Sequence, residues 1–261
     1  MTTRLLRIAA VLAMAAPLAC ASDSIAWDDP TPLPPAVAAE ARLAFDGGAL
    51  AGQSASAVVP ARVAGQCVGS VRVAGDSVTG WYAVWWEAQP DSTAHVMVAR
   101  SRDGLRWDPA IRVDTMDAGR VGCRRPPPSI AADGQNVHVA YGMAAREGPG
   151  IFASHSMDEG VMFHSPVAVV YGERIGHTAI AARGDLVAVV YEDPNAAQPR
   201  VGLAFSHTMA HLFQVRQVVS PPTGPARAPD VAIGDGKLAV AWSRGAATDT
   251  TPRFVRIGVL P

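Results

Sequence analysis

Four segments of this chain follow one pattern: SVRVAGDSVTGWYAVWW, SIAADGQNVHVAYG, TAIAARGDLVAVVYE and DVAIGDGKLAVAWS. Each is an apolar run, a Gly/Asp turn and an alternating run that closes on an aromatic residue, the signature of a β-hairpin. The closing aromatics Trp86, Tyr141, Tyr191 and Trp242 are spaced by 55, 50 and 51 residues. Residues that recur at one phase of a repeat are expected to pack in the core.

The segments that follow the hairpins repeat as well. VMVARSRDGLRWDPAIRV, IFASHSMDEGVMFHSPVAVV and VGLAFSHTMAHLFQVRQVV each read as strand, turn, strand, with turn serines Ser101, Ser156 and Ser206 spaced by 55 and 50 residues. LAFDGGALAGQSASAVV, near the N-terminus, is a weaker copy in which Asp46 lies 55 residues before Ser101. The unit is therefore four strands in about 50 residues, the size of one β-propeller blade. Gly 24 and Pro 21 fit a chain of many turns. The fold expected is all-β, a small propeller of four-stranded blades. Three blades are complete and one is assembled from both ends of the chain; five blades result if the terminal pieces stay separate. An N-terminal strand joining the C-terminal blade closes the ring and removes exposed sheet edges. A β-sandwich would leave the period unexplained.

Residues 1–21 read as an export signal: Arg4 and Arg7, then an uncharged apolar run from Ile8 to Ala16, too short to span a bilayer. Two processing readings fit. Ala19-Cys20-Ala21 is an A-x-A cleavage site, and PLAC is a lipoprotein signal in which Cys20 is lipidated. Residues 22–39 look like a proline-rich tether, leaving 40–261 for the propeller. Cys67 and Cys123 then remain in an oxidising compartment. A disulfide between them is the favoured reading, against two unpaired buried thiols. Two cysteines make a poor metal site. His207 and His211 are four apart but fall in a turn, so no metal is expected, and no cofactor motif is present. The formal net charge of -1 argues against a nucleic-acid partner. Membrane contact is expected only through a lipid anchor, in the periplasm, at the envelope or after secretion.

The turn SMDEGVMF places Ser156, Asp158, Gly160 and Phe163 at the spacing of an Asp-box, or BNR repeat, and SRDGLRW gives a shorter version with Ser101, Asp103, Gly104 and Trp107. SHTMAHLF keeps only Ser206 and Phe213 of it. The carboxylate can accept backbone N–H bonds within the turn, glycine supplies a positive φ, and the aromatic pins the turn to the sheet. On these motifs and their phase, residues 40–261 resemble the sialidase-like propeller superfamily. The resemblance implies that Asp103 and Asp158 are structural and lie on the face opposite the ligand site. It also implies, for a true sialidase, six blades, three substrate-binding arginines, an Arg-Ile-Pro signature and a tyrosine–glutamate nucleophile. This chain lacks the tripeptide and is too short for six such blades.

A ligand face can be read from the phase of the repeat. The approaches to the first strands carry Arg125, Arg174, His177, Arg227 and Asp230. The exits of the second strands carry Trp86-Glu87, Tyr191-Glu192-Asp193 and Trp242-Ser243-Arg244. Arginines suit an anionic ligand and aromatic rings a sugar face. The ligand-binding set expected is Arg125, Arg174, His177, Arg227, Arg244 and Glu87, with Tyr191 and Glu192 as the catalytic candidates. Three functions follow: an exported non-catalytic module binding a glycan or an envelope protein, a small sialidase-like glycoside hydrolase, or a structural envelope lipoprotein.

Overall fold

The computed structural model describes residues 24–33, 64–245 and 251–260. Blade I consists of β3 (Arg72–Asp76), β4 (Gly80–Ala88), β5 (Ala94–Ser101) and β6 (Ile111–Arg112). Blade II consists of β7 (Ser129–Asp133), β8 (Asn136–Ala145), β9 (Gly148–Ser156) and β10 (Val167–Tyr171). Blade III consists of β11 (Thr178–Arg183), β12 (Leu186–Glu192), β13 (Val201–Ser206) and β14 (Val215–Val218). In each, the strands pair antiparallel in chain order. Blade IV joins the two ends of the chain. Its β15 (Arg227–Gly234), β16 (Lys237–Ser243) and β17 (Arg253–Val259) are completed by β1 (Ala26–Trp27) and β2 (Thr31–Leu33), both of which pair with β17. The first strands pack in succession, β3 on β7, β7 on β11 and β11 on β15. The all-β propeller of four-stranded blades is thus present, with four blades among the described residues; the N-terminal strands join blade IV as expected, but the closure of the ring from blade IV to blade I is not seen among the packed first strands.

The tether expected over residues 22–39 is corrected in part: β1 and β2 fall inside it. Pro32 lies opposite Phe254 in the outermost strand, where an edge position tolerates a residue without an N–H. Ile25 is buried beside Trp242, and the Trp27 indole donates to Gln217 Oε1 of blade III at 2.8 Å. The leader, Cys20 and the Asp46 segment lie outside the described residues.

Side-chain alternation explains how the blades stack. On β8, Val137, Val139 and Tyr141 face the core shared with blade I, while Ala140 faces the core shared with blade III. On β12, Val187, Val189 and Tyr191 face blade II, and Ala188 and Val190 face blade IV. Both faces of these strands are covered, so they read as continuous apolar runs. Trp86, Tyr141, Tyr191 and Trp242 are all buried, at 0%, 0%, 5% and 1% exposure, as core residues at one repeat phase should be. Trp86 and Tyr141 meet edge to face across two blades at 6.0 Å.

Antiparallel order puts the turns between strands one and two, and between strands three and four, at the same end of every blade. We term this the turn end. The connections between blades, and the loops between strands two and three, share the opposite connection end. At the turn end the blades are stapled by carboxylates. Asp76 accepts from Val78 N and Thr79 N at 2.8 and 2.9 Å, and from Gly134 N of blade II at 3.2 Å. Asp133 repeats the reach, accepting from Gly184 N of blade III. Within blades II and III the two turns are joined by Glu159 N to Gln135 O and Met209 N to Asp185 O, both 2.9 Å.

Candidate functional site

A cavity of about 1410 Å³ runs along the first strands of all four blades. Ala74, Ala131, Ala181 and Ala232 line its middle, and small side chains leave room for a ligand. Asp76 and Arg102 lie at its turn end, and Arg72, His177 and Arg253 toward its connection end. Asp76 is already committed to backbone N–H groups, of which that of Thr79 contributes most to holding its carboxyl below the usual range.

Blade IV concentrates cationic groups at the connection end. Arg227 pairs with Ser243, and Ser243 with Arg253, so the two arginines stand two strands apart in one row, about 10 Å by strand spacing. Arg244 follows, exposed, its guanidinium 4.5 Å from the Phe254 ring centroid. Glu192 of blade III supplies a counter-charge: one oxygen accepts from Ala228 N at 2.9 Å and the other lies 3.7 Å from Arg227 Nη1. A Cβ on Gly176 would sit 2.5 Å from that second oxygen, so glycine there gives the carboxylate its seat. His177 is exposed on the cavity wall, and its carbonyl accepts from Glu192 N.

Other sequence candidates are placed elsewhere. Arg125 is a structural residue: its guanidinium is bound to the Asp117 carboxylate and the Gly119 carbonyl, 4.6 Å from the Trp86 ring centroid. Only 6% of its side chain and 3% of Asp117 are exposed, and Asp117 also accepts from Ala144 N at 3.1 Å. The Cys67–Cys123 disulfide lies beside this clasp in sequence and ties the approach to β3 to the connection before β7. Arg174 donates to the carbonyls of Pro194 and Ala196, at 3.3 and 2.7 Å, and so holds the β12–β13 loop. Glu87 keeps company with Gln89 within its own blade. Tyr191 is corrected most sharply. It points into the core between blades II and III, where burial, aided by Asp193, raises its phenol to about 12. Glu192, next along the strand, points the other way. Sequence reasoning missed Arg253, Arg72 and Asp117, which have no counterparts at the same phase of the other blades.

At the turn end, Asp103 accepts from Leu105 N and Arg106 N at 2.8 Å, and Ser101 Oγ accepts from Gly104 N at 2.9 Å. Ser156 Oγ likewise accepts from Gly160 N at 2.9 Å, and Asp158 from Met162 N at 3.0 Å. Gly104 and Gly160 have φ of 74° and 84°. The third turn keeps this geometry with different residues. Thr208 Oγ1 accepts from Leu212 N at 3.2 Å in the place of Asp158, and Ala210 takes the glycine position at φ 67°.

His211 meets not His207 but His155 and His164, with one ring nitrogen from each lying within 4.8 Å of the others. Beneath them His138 stacks on His155. Burial lowers His138 to about 3 and His155 to about 4, with His211 and His164 adding to the second shift, so both rings are neutral at neutral pH.

No protein-family model matches the sequence, and no curated protein matches it. Solved structures match in shape. Trypanosoma rangeli sialidase in complex with 2,3-difluoro-KDN gives a TM-score of 0.51 at 12% identity, over 79% of this chain and 37% of the sialidase chain. The fold is a β-propeller, similar in shape to part of this sialidase. The same sialidase with 2,3-difluorosialic acid gives 0.50 at 13% identity, over 79% and 38% of the two chains. Penicillium chrysogenum α-L-arabinanase complexed with arabinobiose gives 0.48 at 14% identity, over 73% and 63%. The chain thus spans well under half the length of the sialidases it matches.

Proposed function

We propose that this chain is an exported sialidase-like propeller that binds an acidic glycan at the connection end of blade IV and does not cleave it. The observation that carries this reading is the placement of the tyrosines. The chain has four. Tyr82, Tyr141 and Tyr191 are buried in the interblade cores, and Tyr171 lies on β10, the outermost strand of blade II. None lines the cavity, so the tyrosine nucleophile of sialidase chemistry has no counterpart there. Arg227, Arg244 and Arg253 can still offer charge-assisted hydrogen bonds to a carboxylate. Glu192 keeps Arg227 partly neutralised, and an acidic ligand would compete for it.

The Ser101 and Ser156 turns are, in this reading, Asp-boxes that keep the blades in register at the far end. Export is supported by the leader at residues 1–21 and by the Cys67–Cys123 disulfide. Anchoring through Cys20 is the localisation proposed, and fatty-acid labelling that is lost in Cys20→Ser tests it. Sialic acid is the first ligand to try, because the sialidases of like fold were solved with difluorinated sialic-acid compounds. Calorimetry with 3′-sialyllactose is expected to give saturable binding, at least tenfold weaker in Arg253→Ala and absent with lactose. Equal binding of lactose and sialyllactose overturns the acidic-glycan reading. Binding of an acidic envelope protein with no response to either sugar would move the partner from glycan to protein.

A further inference from the structure

At the turn end, away from the proposed glycan site, four of the seven histidines of the chain gather between blades II and III. His155 is the penultimate residue of β9, His164 lies in the connection from β9 to β10, and His211 in the turn from β13 to β14. The backbone holds all three. His164 N–H donates to the His155 carbonyl at 2.8 Å, and Ser154 Oγ donates to the His164 carbonyl at 2.6 Å. His211 N–H donates to the Thr208 carbonyl at 2.9 Å. The rings of His155 and His164 stack at 4.5 Å, and His211 meets His155 edge to face at 4.3 Å.

We propose that His155, His164 and His211 form a transition-metal site, with zinc(II) as the ion it takes, clamping blade II to blade III. Three observations support it. First, the three ligand nitrogens already lie within 4.8 Å of one another. Tetrahedral zinc with Zn–N bonds of about 2.0–2.1 Å needs them about 3.3–3.5 Å apart, a contraction that ring rotations, largest at His164, must supply. Second, His211 Nδ1 lies 2.7 Å from the Thr208 carbonyl, so it carries the proton and donates it, leaving the Nε2 lone pair free. Metal-bound histidines are oriented by this kind of hydrogen bond. Third, His155 Nε2 is buried and has no hydrogen-bond partner, a deficit that coordination would remove.

The shape of the site fits a bound ion open to solvent. His155 is 2% exposed and forms the fixed floor, while His211 reaches the surface and gives the ion a path in. Three imidazoles leave a fourth tetrahedral position for water, as in open zinc sites. His164 carries the largest adjustment, since its ring must tilt out of the parallel stack before its nitrogen can converge with the other two.

The test uses the full chain without a histidine tag, stripped of metal by a chelator and then titrated with zinc chloride against a chromophoric competitor. The expected result is one equivalent of zinc bound, with affinity falling at least tenfold in His164→Ala and in His211→Ala. Both residues sit in turn-end connections outside the strands, so their variants should keep the fold, which circular dichroism checks. His95→Gln, in blade I, should bind as the parent does. Substituting cobalt(II) should give the visible spectrum of a tetrahedral nitrogen site, absent in His211→Ala. No stoichiometric binding, or binding equally strong in the two variants, overturns the proposal.

Discussion

The two ends of this propeller are held together by contacts of different regularity. At the turn end the contacts repeat: in blades I to III a serine hydroxyl, a carboxylate or threonine hydroxyl and a positive-φ residue lie within eight positions. Neighbouring blades are then joined there by one carboxylate reaching to the next turn, as Asp76 does to Gly134. The connection end has no such repeat. Asp117 and Arg125 clasp the first interblade connection, Arg174 the loop after β12, and Glu192 the approach to β15. The regular end sets the geometry of the blades, and the irregular end carries the exposed arginines of the proposed glycan site.

If that division is right, the connection end should be the more costly to disturb. Asp117→Ala leaves the buried Arg125 guanidinium unpaired and should cost about 3–5 kcal/mol in urea denaturation, with Asp117→Ala/Arg125→Met recovering most of it. A loss below about 1 kcal/mol would place the weight of the fold elsewhere. Replacing Cys67 and Cys123 together by serine should cost about 2–4 kcal/mol, since the bond closes a long loop of the unfolded chain.

Effects at the turn end should be smaller, each limited to one or two hydrogen bonds. Asp76→Asn turns an amide toward Gly134 N or loses a local bond and should cost about 1–2 kcal/mol. Its pH dependence has a definite sign. The folded carboxyl is held below its ordinary 3.8, so its contribution is complete above that pH and is lost as the pH falls through the lower folded value. Thermal melts of parent and Asp76→Asn should therefore converge in acid, and a gap unchanged down to the most acidic melt would refute the assignment. The smallest change is a gain. Ala210 sits at φ 67° where the other turns have glycine, so Ala210→Gly should raise stability by about 0.5–1 kcal/mol, a shift of a degree or two in Tm. A loss instead would mean that the buried methyl group outweighs the backbone strain.

The same contrast explains what could be read from the sequence. Repeated chemistry was legible: the hairpins, the Ser156 and Asp158 turn and the four core aromatics. The sharing of the last blade between both ends was also legible, but not the strands that do it, which are β1 and β2. Even the decayed third turn follows the rule once Thr208 is seen to replace an aspartate, a substitution that motif spacing alone does not reveal. Contacts outside the repeat were not legible, even short-range ones: Asp117 lies only eight residues before Arg125. Nothing around Asp117 marks it as the partner of Arg125, and Arg125 shares its repeat phase with His177 and Arg227, which are exposed at the connection end. Tyr191 and Glu192 are neighbours in sequence, but strand alternation separates their side chains, so the candidate pair never converges. The prolines at 30 and 32 read as a tether because composition cannot distinguish a linker from an edge strand. His155, His164 and His211 come from two blades, and only stacking brings them together.

The most direct test of the account places the folded protein with 3′-sialyllactose in one tube and follows it by proton NMR. Saturation transfer to the sialic acid ring, with the glycosidic signals unchanged over days, is the predicted result for a propeller that binds and does not cleave. The appearance of free sialic acid and lactose would contradict it and would require a nucleophile other than the four tyrosines.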